Sequence, residues 1–283
     1  MISRVACRGS HRSGRTARAA ALAATCVLSC ALLLPAAPAG ASPGPGSTAR
    51  SDAASDPGDV PTSPTDSLDW AGYVVSGRTF TSVAGDWTEP SVSCSGTKAA
   101  QSAFWIGFDG FAASDPTVEQ IGTDSDCTKG KKKAPGGPVF YAWYELYPAA
   151  LVVLSPASYP VSPGDHLSAS MHVSGASYTV ELTDTDRWTY SNVLTTPTVE
   201  PNASAEWIAE SPSVCSAGRC KPGPLADFGS VEFTGITTDA GTLTTPALTS
   251  TAVTMTTKKA KQTLAVPGAP VDGTGFPVTW LAP

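Results

Sequence analysis

After residue 65, the chain alternates apolar and polar positions over short runs that Pro and Gly interrupt at close intervals. Thr, Val, Ser, Tyr and Trp are prominent, and no window keeps an apolar period of 3.6 residues, so the pattern predicts strands rather than helices. The predicted strands cover residues 71–80, 83–88, 102–109, 117–122, 139–147, 167–173, 177–184, 188–193, 205–210, 231–235 and 251–257. Many short strands separated by turn residues predict an all-β antiparallel sandwich or barrel.

The first 65 residues follow a different pattern. Five arginines precede an apolar run over residues 19–37, and the small residues Ala39, Gly40 and Ala41 follow it. This order predicts a secretory signal peptide over residues 1–41. Residues 42–65 are mostly Ser, Pro, Gly, Ala and Asp, with too little apolar surface to offset the entropy of ordering, so we expect a disordered leader or a short pro-segment. Residues 66–283 are enough for one β domain, which we expect outside the cell.

Removal of the signal changes the charge balance. The whole chain has 18 Lys+Arg, 24 Asp+Glu and a net charge of −6, and loss of the five signal arginines brings the charge near −11. This acidity argues against nucleic acid as a partner. It is compatible with work at low pH, where protonation removes repulsion between carboxylates, and equally with plain solubility. The apolar run is short for a membrane span and contains Pro35, so no membrane association is expected after cleavage.

Cysteine usage fits an exported protein. Seven cysteines reduce to four after removal of the signal: Cys94, Cys127, Cys215 and Cys220. An even count in a secreted protein predicts two disulfides. Three connectivities are possible, and proximity favours a bridge across the short loop between Cys215 and Cys220, with Cys94 paired to Cys127.

The predicted strand over residues 205–210 carries the most informative pattern. Successive side chains of a strand point to opposite faces, so Glu206, Ile208 and Glu210 share one face. Two carboxylates on one face repel each other, which tends to raise the pKa of one of them. That suits a carboxyl that must gain and lose a proton, although most Glu residues on strands are simply solvated.

A second strand places aromatic rings around a carboxylate. The alternation puts four side chains of residues 141–147 on one face: Tyr141, Trp143, Glu145 and Tyr147. Burial of Glu145 in a core would be costly, and three aromatic residues are not typical of a solvated face. The pattern predicts the wall of a groove for an extended or sugar-like ligand.

Two more strands add polar groups. Trp105, Gly107 and Asp109 share a face on which the glycine lets a ligand backbone approach closely. Gln120, in the next strand, supplies both a hydrogen-bond donor and an acceptor. A single Gln is more often a surface residue, so its role depends on what surrounds it.

Familiar catalytic sets are missing from the sequence. There is no HExxH and no GxSxG. His166 and His172 lie on the same face of one predicted strand, but no third metal ligand is evident, which favours structural histidines. A serine triad would need one of these two histidines and has no supporting motif. No metal and no cofactor are therefore expected.

Five motifs occur in a fixed order along residues 69 to about 237. They are Trp70-Ala71-Gly72-Tyr73, Trp105-Ile106-Gly107-Phe108-Asp109-Gly110, Glu119-Gln120-Ile121-Gly122, Tyr141-Ala142-Trp143-Tyr144-Glu145-Leu146-Tyr147-Pro148 and Ala205-Glu206-Trp207-Ile208-Ala209-Glu210. Each motif alone is weak, but the ordered set resembles the glutamic peptidases, also called eqolisins.

The resemblance implies a fold and a reaction. The expected fold is a concanavalin-like sandwich of two antiparallel sheets, each of about seven strands, with a concave substrate groove. The expected catalytic dyad is Gln120 and Glu210, which hydrolyse peptide bonds by activating water. Supporting or substrate-binding roles fall on Trp70, Asp109, Trp143, Glu145, Tyr147 and Glu206. A short disulfide loop after the Glu strand, as at Cys215 and Cys220, recurs in the family.

Two alternatives remain open. A glycosidase of sandwich fold would also show aromatic residues and paired carboxylates, either Asp109 with Glu145 or Glu206 with Glu210. A non-catalytic carbohydrate- or peptide-binding module would bind its ligand without turnover. The motif order favours the peptidase, which we expect to be a monomer that acts on polypeptides in acid.

Overall fold

The computed structural model describes residues 66–94, 99–112, 114–131, 136–216, 219–258 and 262–283. The predicted signal peptide and leader lie outside these residues. The regular elements are strands: β1 Asp66–Ser67, β2 Trp70–Ser76, β3 Ser82–Thr88, β4 Ala103–Phe108, β5 Val118–Cys127, β6 Pro138–Tyr147, β7 Val152–Val153, β8 His166–Ser174, β9 Ser177–Asp184, β10 Trp188–Thr195, β11 Ser204–Glu210, β12 Ser213–Ser216, β13 Arg219–Pro222, β14 Ser230–Thr238, β15 Thr249–Thr256, β16 Thr263–Pro267 and β17 Phe276–Trp280. In the part of the chain that the structure describes, no helix has the length and apolar character needed to cross a membrane.

The strands form two antiparallel sheets that share one strand. The first sheet runs in the order β10-β9-β8-β3-β14-β17-β16-β15, and the second continues as β15-β2-β11-β4-β5-β6-β7. Short β1 lies parallel to β15, and β12 and β13 form a separate hairpin. The second sheet lies over the first, with β11 against β3 and β14, and β5 against β8 and β9. The predicted all-β antiparallel sandwich is confirmed.

The hydrophobic core fills the space between the two sheets. Strand alternation sends one set of side chains inward from each sheet, and the largest fully buried members of this core include Phe104, Tyr178, Trp207, Phe233 and Phe276. The indole N–H of Trp207 donates to the carbonyl of Ala84 at 2.8 Å, so this ring is both packed and hydrogen-bonded. The inward faces therefore hold the sheets together, and the side chains on the outward face of the second sheet are not part of this core.

One carboxyl lies inside this core with its own donors. Glu89 accepts hydrogen bonds from the hydroxyls of Thr123 at 2.5 Å and Ser125 at 2.6 Å, and a longer one from the Trp87 indole at 3.4 Å. Burial raises the pKa of Glu89 to about 7, although these donors favour the charged form. No sequence pattern predicted this buried carboxyl, because a lone Glu before Pro90 has the pattern of a strand end.

Both predicted disulfides are present, Cys94–Cys127 and Cys215–Cys220. The second bridge joins β12 to β13 and closes the short hairpin that follows β11. The first ties the segment after β3 to the end of β5, so it anchors the far end of a strand that carries Gln120.

Candidate active site

The outer face of the second sheet, which points away from the first sheet, collects the residues singled out in the sequence. Cross-strand pairing arranges them in three rows, each read from β2 through β11, β4 and β5 to β6. The rows are Val74–Glu206–Gly107–Gln120–Glu145, Gly72–Ile208–Trp105–Gly122–Trp143 and Trp70–Glu210–Ala103–Asp124–Tyr141. Five strands that are distant in sequence thus contribute to one surface.

Gln120 lies in the first row, beside Glu145. Its side-chain amide nitrogen donates to Glu145 Oε2 at 2.8 Å. On its other side is Gly107, where an added Cβ would lie only 3.2 Å from the Gln120 Cβ. Larger residues at position 107 would therefore press on Gln120. The glycine and the glutamate together fix where the amide lies and which way it turns.

Glu210 lies in the third row, two strands from Gln120 and four residues further along. The indole N–H of Trp105, from the strand between them, donates to Glu210 Oε2 at 2.7 Å. Trp70 pairs with Glu210 on the opposite side, and its ring meets that of Trp105 edge to face at 5.0 Å. Two tryptophans thus hold the carboxyl in place, one by a hydrogen bond and both by packing.

Glu206 is the second carboxyl of the same strand and shares the first row with Gln120. It is fully buried, and its pKa is raised well above the usual range. Burial is the largest cause, and the charges of Asp109, Asp115 and Glu119 add to it. The sequence pattern predicted that repulsion between Glu206 and Glu210 raises a pKa on this strand. In the structure, the pKa of Glu206 is raised mainly by burial and further by the charges of Asp109, Asp115 and Glu119.

Asp109 departs from its predicted place. The sequence pattern put it within a strand, on the face of Trp105, but β4 ends at Phe108 and Asp109 has a left-handed backbone with φ of 68°. Its carboxylate accepts the backbone N–H groups of Asn202 at 2.7 Å and Ala203 at 2.6 Å. Asp109 therefore pins the segment before β11 in place, and through it the strand that carries Glu206 and Glu210.

The predicted strand 117–122 stopped short of two further groups on the outer face. β5 continues to Cys127, and the hydroxyl of Tyr141 lies 3.0 Å from Asp124 Oδ2 and 3.0 Å from Asp126 Oδ2. Asp124 stands in the row of Glu210. Continued alternation after Gln120 would have identified these carboxyls, but Asp is depleted in strands, and the sequence Asp124-Ser125-Asp126 has the composition of a turn.

The central side chains on the outer face of the second sheet are buried from solvent. Gln120 and Glu210 are each 2 % exposed, and Trp105 and Trp143 are fully buried. Partly exposed apolar side chains pack around this group and form its border: Phe111, Tyr141, Tyr147 and Leu151. Tyr147 is thus at the rim of the site, where the sequence placed a groove wall.

The two histidines among the described residues lie elsewhere. His166 and His172 are both exposed on β8 of the first sheet, on the same face, as their spacing predicted. Among the described residues, no group of three or more His, Cys, Asp or Glu side chains could hold a metal ion. The polar side chains in the three rows of the outer face are four carboxyls, the Gln120 amide, three indoles and the Tyr141 hydroxyl.

Comparison with known proteins agrees with this geometry. A family model described as the peptidase A4 family matches residues 68–275. Aspergillopepsin-2 of Aspergillus niger is 30% identical over 199 residues, which is 62% of this chain and 65% of that protein, so the match spans just under two thirds of the relative.

Solved structures give the same result for the fold. A scytalido-glutamic peptidase bound to a transition-state analogue superposes with a TM-score of 0.61 at 23% identity, covering 76% of this chain and 98% of that one. SCP-B, a member of the eqolisin family in complex with the tripeptide Ala-Ile-His, superposes with a TM-score of 0.56 at 22% identity over 76% of this chain and 98% of its own. Since the family model covers most of the chain, this protein belongs to the peptidase A4 family, the glutamic peptidases.

Proposed function

We propose that this protein is a secreted acid endopeptidase in which Glu210 and Gln120 hydrolyse peptide bonds by activating water. The observation that carries the proposal is the placement of both side chains on one face of one sheet, each held by its own partner. Trp105 binds the carboxyl, and Glu145 binds the amide. Family membership supports the reaction class.

The two side chains supply complementary chemistry. Ionised Glu210 takes a proton from a bound water, and the water oxygen attacks the scissile carbonyl. Gln120 keeps one amide hydrogen on Glu145, so its second hydrogen is available for the oxyanion that develops on the substrate. Protonated Glu210 then gives its proton to the leaving amine. The reaction needs no covalent intermediate.

The proposed position of the substrate follows from the register of the sheet. Gln120 and Glu210 lie diagonally across the face with Trp105 between them. A peptide that lies over Trp105 has the amide on one side of the scissile bond and the carboxyl on the other. Both groups are nearly buried, so we expect the partly exposed rings at the rim, Phe111 and Tyr147 among them, to shift outward when the peptide enters.

A substrate panel tests the reaction class. The purified protein is incubated at acid and at neutral pH with a denatured polypeptide and with polysaccharides, and the products are separated by mass. We expect peptide cleavage in acid, with internal bonds cut, and no release of sugars. Sugar release without peptide cleavage would instead support the glycosidase, and binding without turnover would support the binding module.

Glu145 offers a narrower prediction. Glu145→Ala removes the acceptor that holds the Gln120 amide, so we expect kcat to fall by roughly 10- to 100-fold with KM little changed, because misplacement of a catalytic group costs up to about that factor. Glu145→Gln keeps an oxygen acceptor in the same place and is expected to retain most of the activity. Steady-state kinetics on a peptide substrate separate the two variants, and equal loss in both would contradict a positioning role.

A further inference from the structure

A series of hydrogen bonds runs from the first sheet towards the rim of the candidate active site, and Asn202 lies at its centre. Asn202 precedes β11, is 3 % exposed and has a left-handed backbone with φ of 46°. Asparagine tolerates this conformation better than most residues, because its short polar side chain can hydrogen-bond locally. Both polar atoms of its side chain and both polar groups of its backbone are hydrogen-bonded.

The side chain of Asn202 connects the segment before β11 to the first sheet. The hydroxyl of Tyr178, on β9, donates to Asn202 Oδ1 at 2.9 Å, and Asn202 Nδ2 donates to the carbonyl of Glu200 at 3.0 Å. Tyr178 is fully buried in the core between the sheets, so packing fixes the position of its hydroxyl. Loss of this donor would leave a buried acceptor unsatisfied, which is costly.

The backbone of Asn202 connects the same segment to two other parts of the chain. Its carbonyl accepts the N–H of Phe80, in the β2–β3 connection, at 2.8 Å. Its N–H donates to Asp109 Oδ2 at 2.7 Å, and the next N–H, of Ala203, donates to Asp109 Oδ1 at 2.6 Å. A carboxylate that accepts one N–H on each oxygen is fixed in both position and orientation. The position of Asp109 therefore depends on that of Asn202.

Asp109 begins a short segment, residues 109–111, that we call the rim segment. Asp109 and Gly110 both have left-handed backbones, with φ of 68° and 81°, so the chain turns directly after β4. A Cβ added at Gly110 would lie 3.1 Å from the ring of Trp70, one of the two tryptophans that hold the candidate catalytic carboxyl. Phe111 packs against the buried group that contains Trp70. The rim segment therefore forms part of the border of the site.

The sequence around Asn202 also has the form of an N-glycosylation site, Asn202-Ala203-Ser204. A glycan is bulky and belongs on the surface. The Asn202 amide is instead buried, and both its oxygen and its nitrogen are engaged within the protein. The native position of this asparagine thus fits a structural contact and not a glycan.

We propose that Asn202 is a positioning residue for peptide binding: anchored by Tyr178, it holds Asp109 and, through Asp109, the rim segment at the border of the site. This inference rests on the proposed peptidase function, because the rim segment borders the face on which the peptide would bind. Asn202 contacts neither Gln120 nor Glu210. Its loss is therefore expected to weaken peptide binding and to leave the chemical step nearly unchanged.

Steady-state kinetics on a peptide substrate in acid test this role. Asn202→Gly keeps the left-handed backbone and removes both side-chain hydrogen bonds, whereas Tyr178→Phe removes only the donor. We expect each variant to raise KM by roughly 3- to 10-fold, a factor limited by the strength of the lost hydrogen bond, and to change kcat by less than about twofold. A merely structural role would lower the amount of folded enzyme, and so the apparent kcat, without raising KM.

A control and a double variant complete the kinetic test. Tyr190→Phe removes the hydroxyl of a partly buried tyrosine on β10, which accepts from the exposed side chain of Asn192, and is expected to keep the wild-type KM. The double variant Asn202→Gly/Tyr178→Phe is expected to match Asn202→Gly, because Tyr178 acts through Asn202. An unchanged KM in Asn202→Gly, or an equal rise in Tyr190→Phe, would overturn the proposal.

Amide hydrogen exchange separates failure of this inference from failure of the peptidase. We expect peptides that cover the rim segment to exchange about threefold or more faster in Asn202→Gly than in the wild type, with the β14–β17 pair unchanged. A wild-type protein that cut no peptide would contradict the proposed function, and faster exchange of the rim segment would still support the positioning by Asn202. Unchanged exchange of the rim segment would overturn that positioning whether or not peptides are cut.

Discussion

Replacement of Glu210 with glutamine is expected to lower kcat for peptide hydrolysis by roughly 10²- to 10⁴-fold, because an amide cannot take a proton from water or return it to the leaving amine. Gln120→Ala is expected to lower kcat by about 10²- to 10³-fold, the usual loss when one oxyanion donor is removed. Both losses are measured in acid on a peptide substrate. Thermal unfolding of each variant shows whether the fold is intact.

Glu206 is a second candidate for the general base, and the kinetic experiment must distinguish it from Glu210. Glu206 lies in the same row as Gln120, with only Gly107 between them, whereas Glu210 lies two rows away. If Glu206→Gln abolished turnover and Glu210→Gln retained it, the role of general base would pass to Glu206. Glu181→Gln, on the first sheet, controls for the loss of one carboxylate. Near-normal turnover in both Glu210→Gln and Gln120→Ala would remove the dyad altogether.

The free energy of unfolding is expected to be highest in acid and to fall as the pH rises. The folded-state pKa values of Glu89, Asp109 and Glu119 are raised to about 7, 8 and 9, and that of Glu206 is also raised, in each case chiefly by burial. Below about pH 4 both the native and the unfolded states bind these protons, so the raised values cost nothing. Between about pH 4 and each folded-state pKa, the native state binds more protons than the unfolded state, and stability falls with rising pH.

The expected size of this effect is large. Each group contributes up to about 1.4 kcal/mol per pH unit inside its window, and a whole domain is stable by only about 5–15 kcal/mol. Urea unfolding at pH 4 and pH 7.5 measures the difference. Glu206→Gln should raise the free energy of unfolding at pH 7.5 by about 1–3 kcal/mol and leave it nearly unchanged at pH 4. Glu232→Gln, at an exposed position on β14, is the control. A protein more stable at pH 7.5 than at pH 4 would contradict the argument.

The alternation of apolar and polar positions alone predicted most of the long strands. Each predicted strand overlaps an observed strand, and the faces assigned to residues 205–210 and 141–147 match the observed register. The ends were less well predicted. The strand expected over residues 71–80 stops at Ser76, because Gly77 adopts a left-handed φ of 111° that turns the chain. Short strands such as β7 and β13 have too few residues to show any period.

The sequence indicated which residues belong to the candidate site better than it indicated the contacts between them. The resemblance selected Gln120, Glu145 and Glu210, but no local pattern in the sequence shows that Trp105 donates to Glu210 or that Glu145 binds Gln120. Those contacts depend on the order of strands β11, β4, β5 and β6, which long-range pairing decides. Burial of Glu119 was hidden for a related reason, because alternation places it on the inner face only once the register of β5 is known.

The strand shared by the two sheets has a consequence for how the protein is made. β15 closes the second sheet against β2 and the first sheet through β16, and β17 completes the pairing of β14. The partners of early strands are therefore synthesised last. Neither sheet can finish its hydrogen bonding until β15, β16 and β17 have left the ribosome. Folding of the sandwich is therefore expected to follow synthesis of these late strands rather than to accompany synthesis of the early ones.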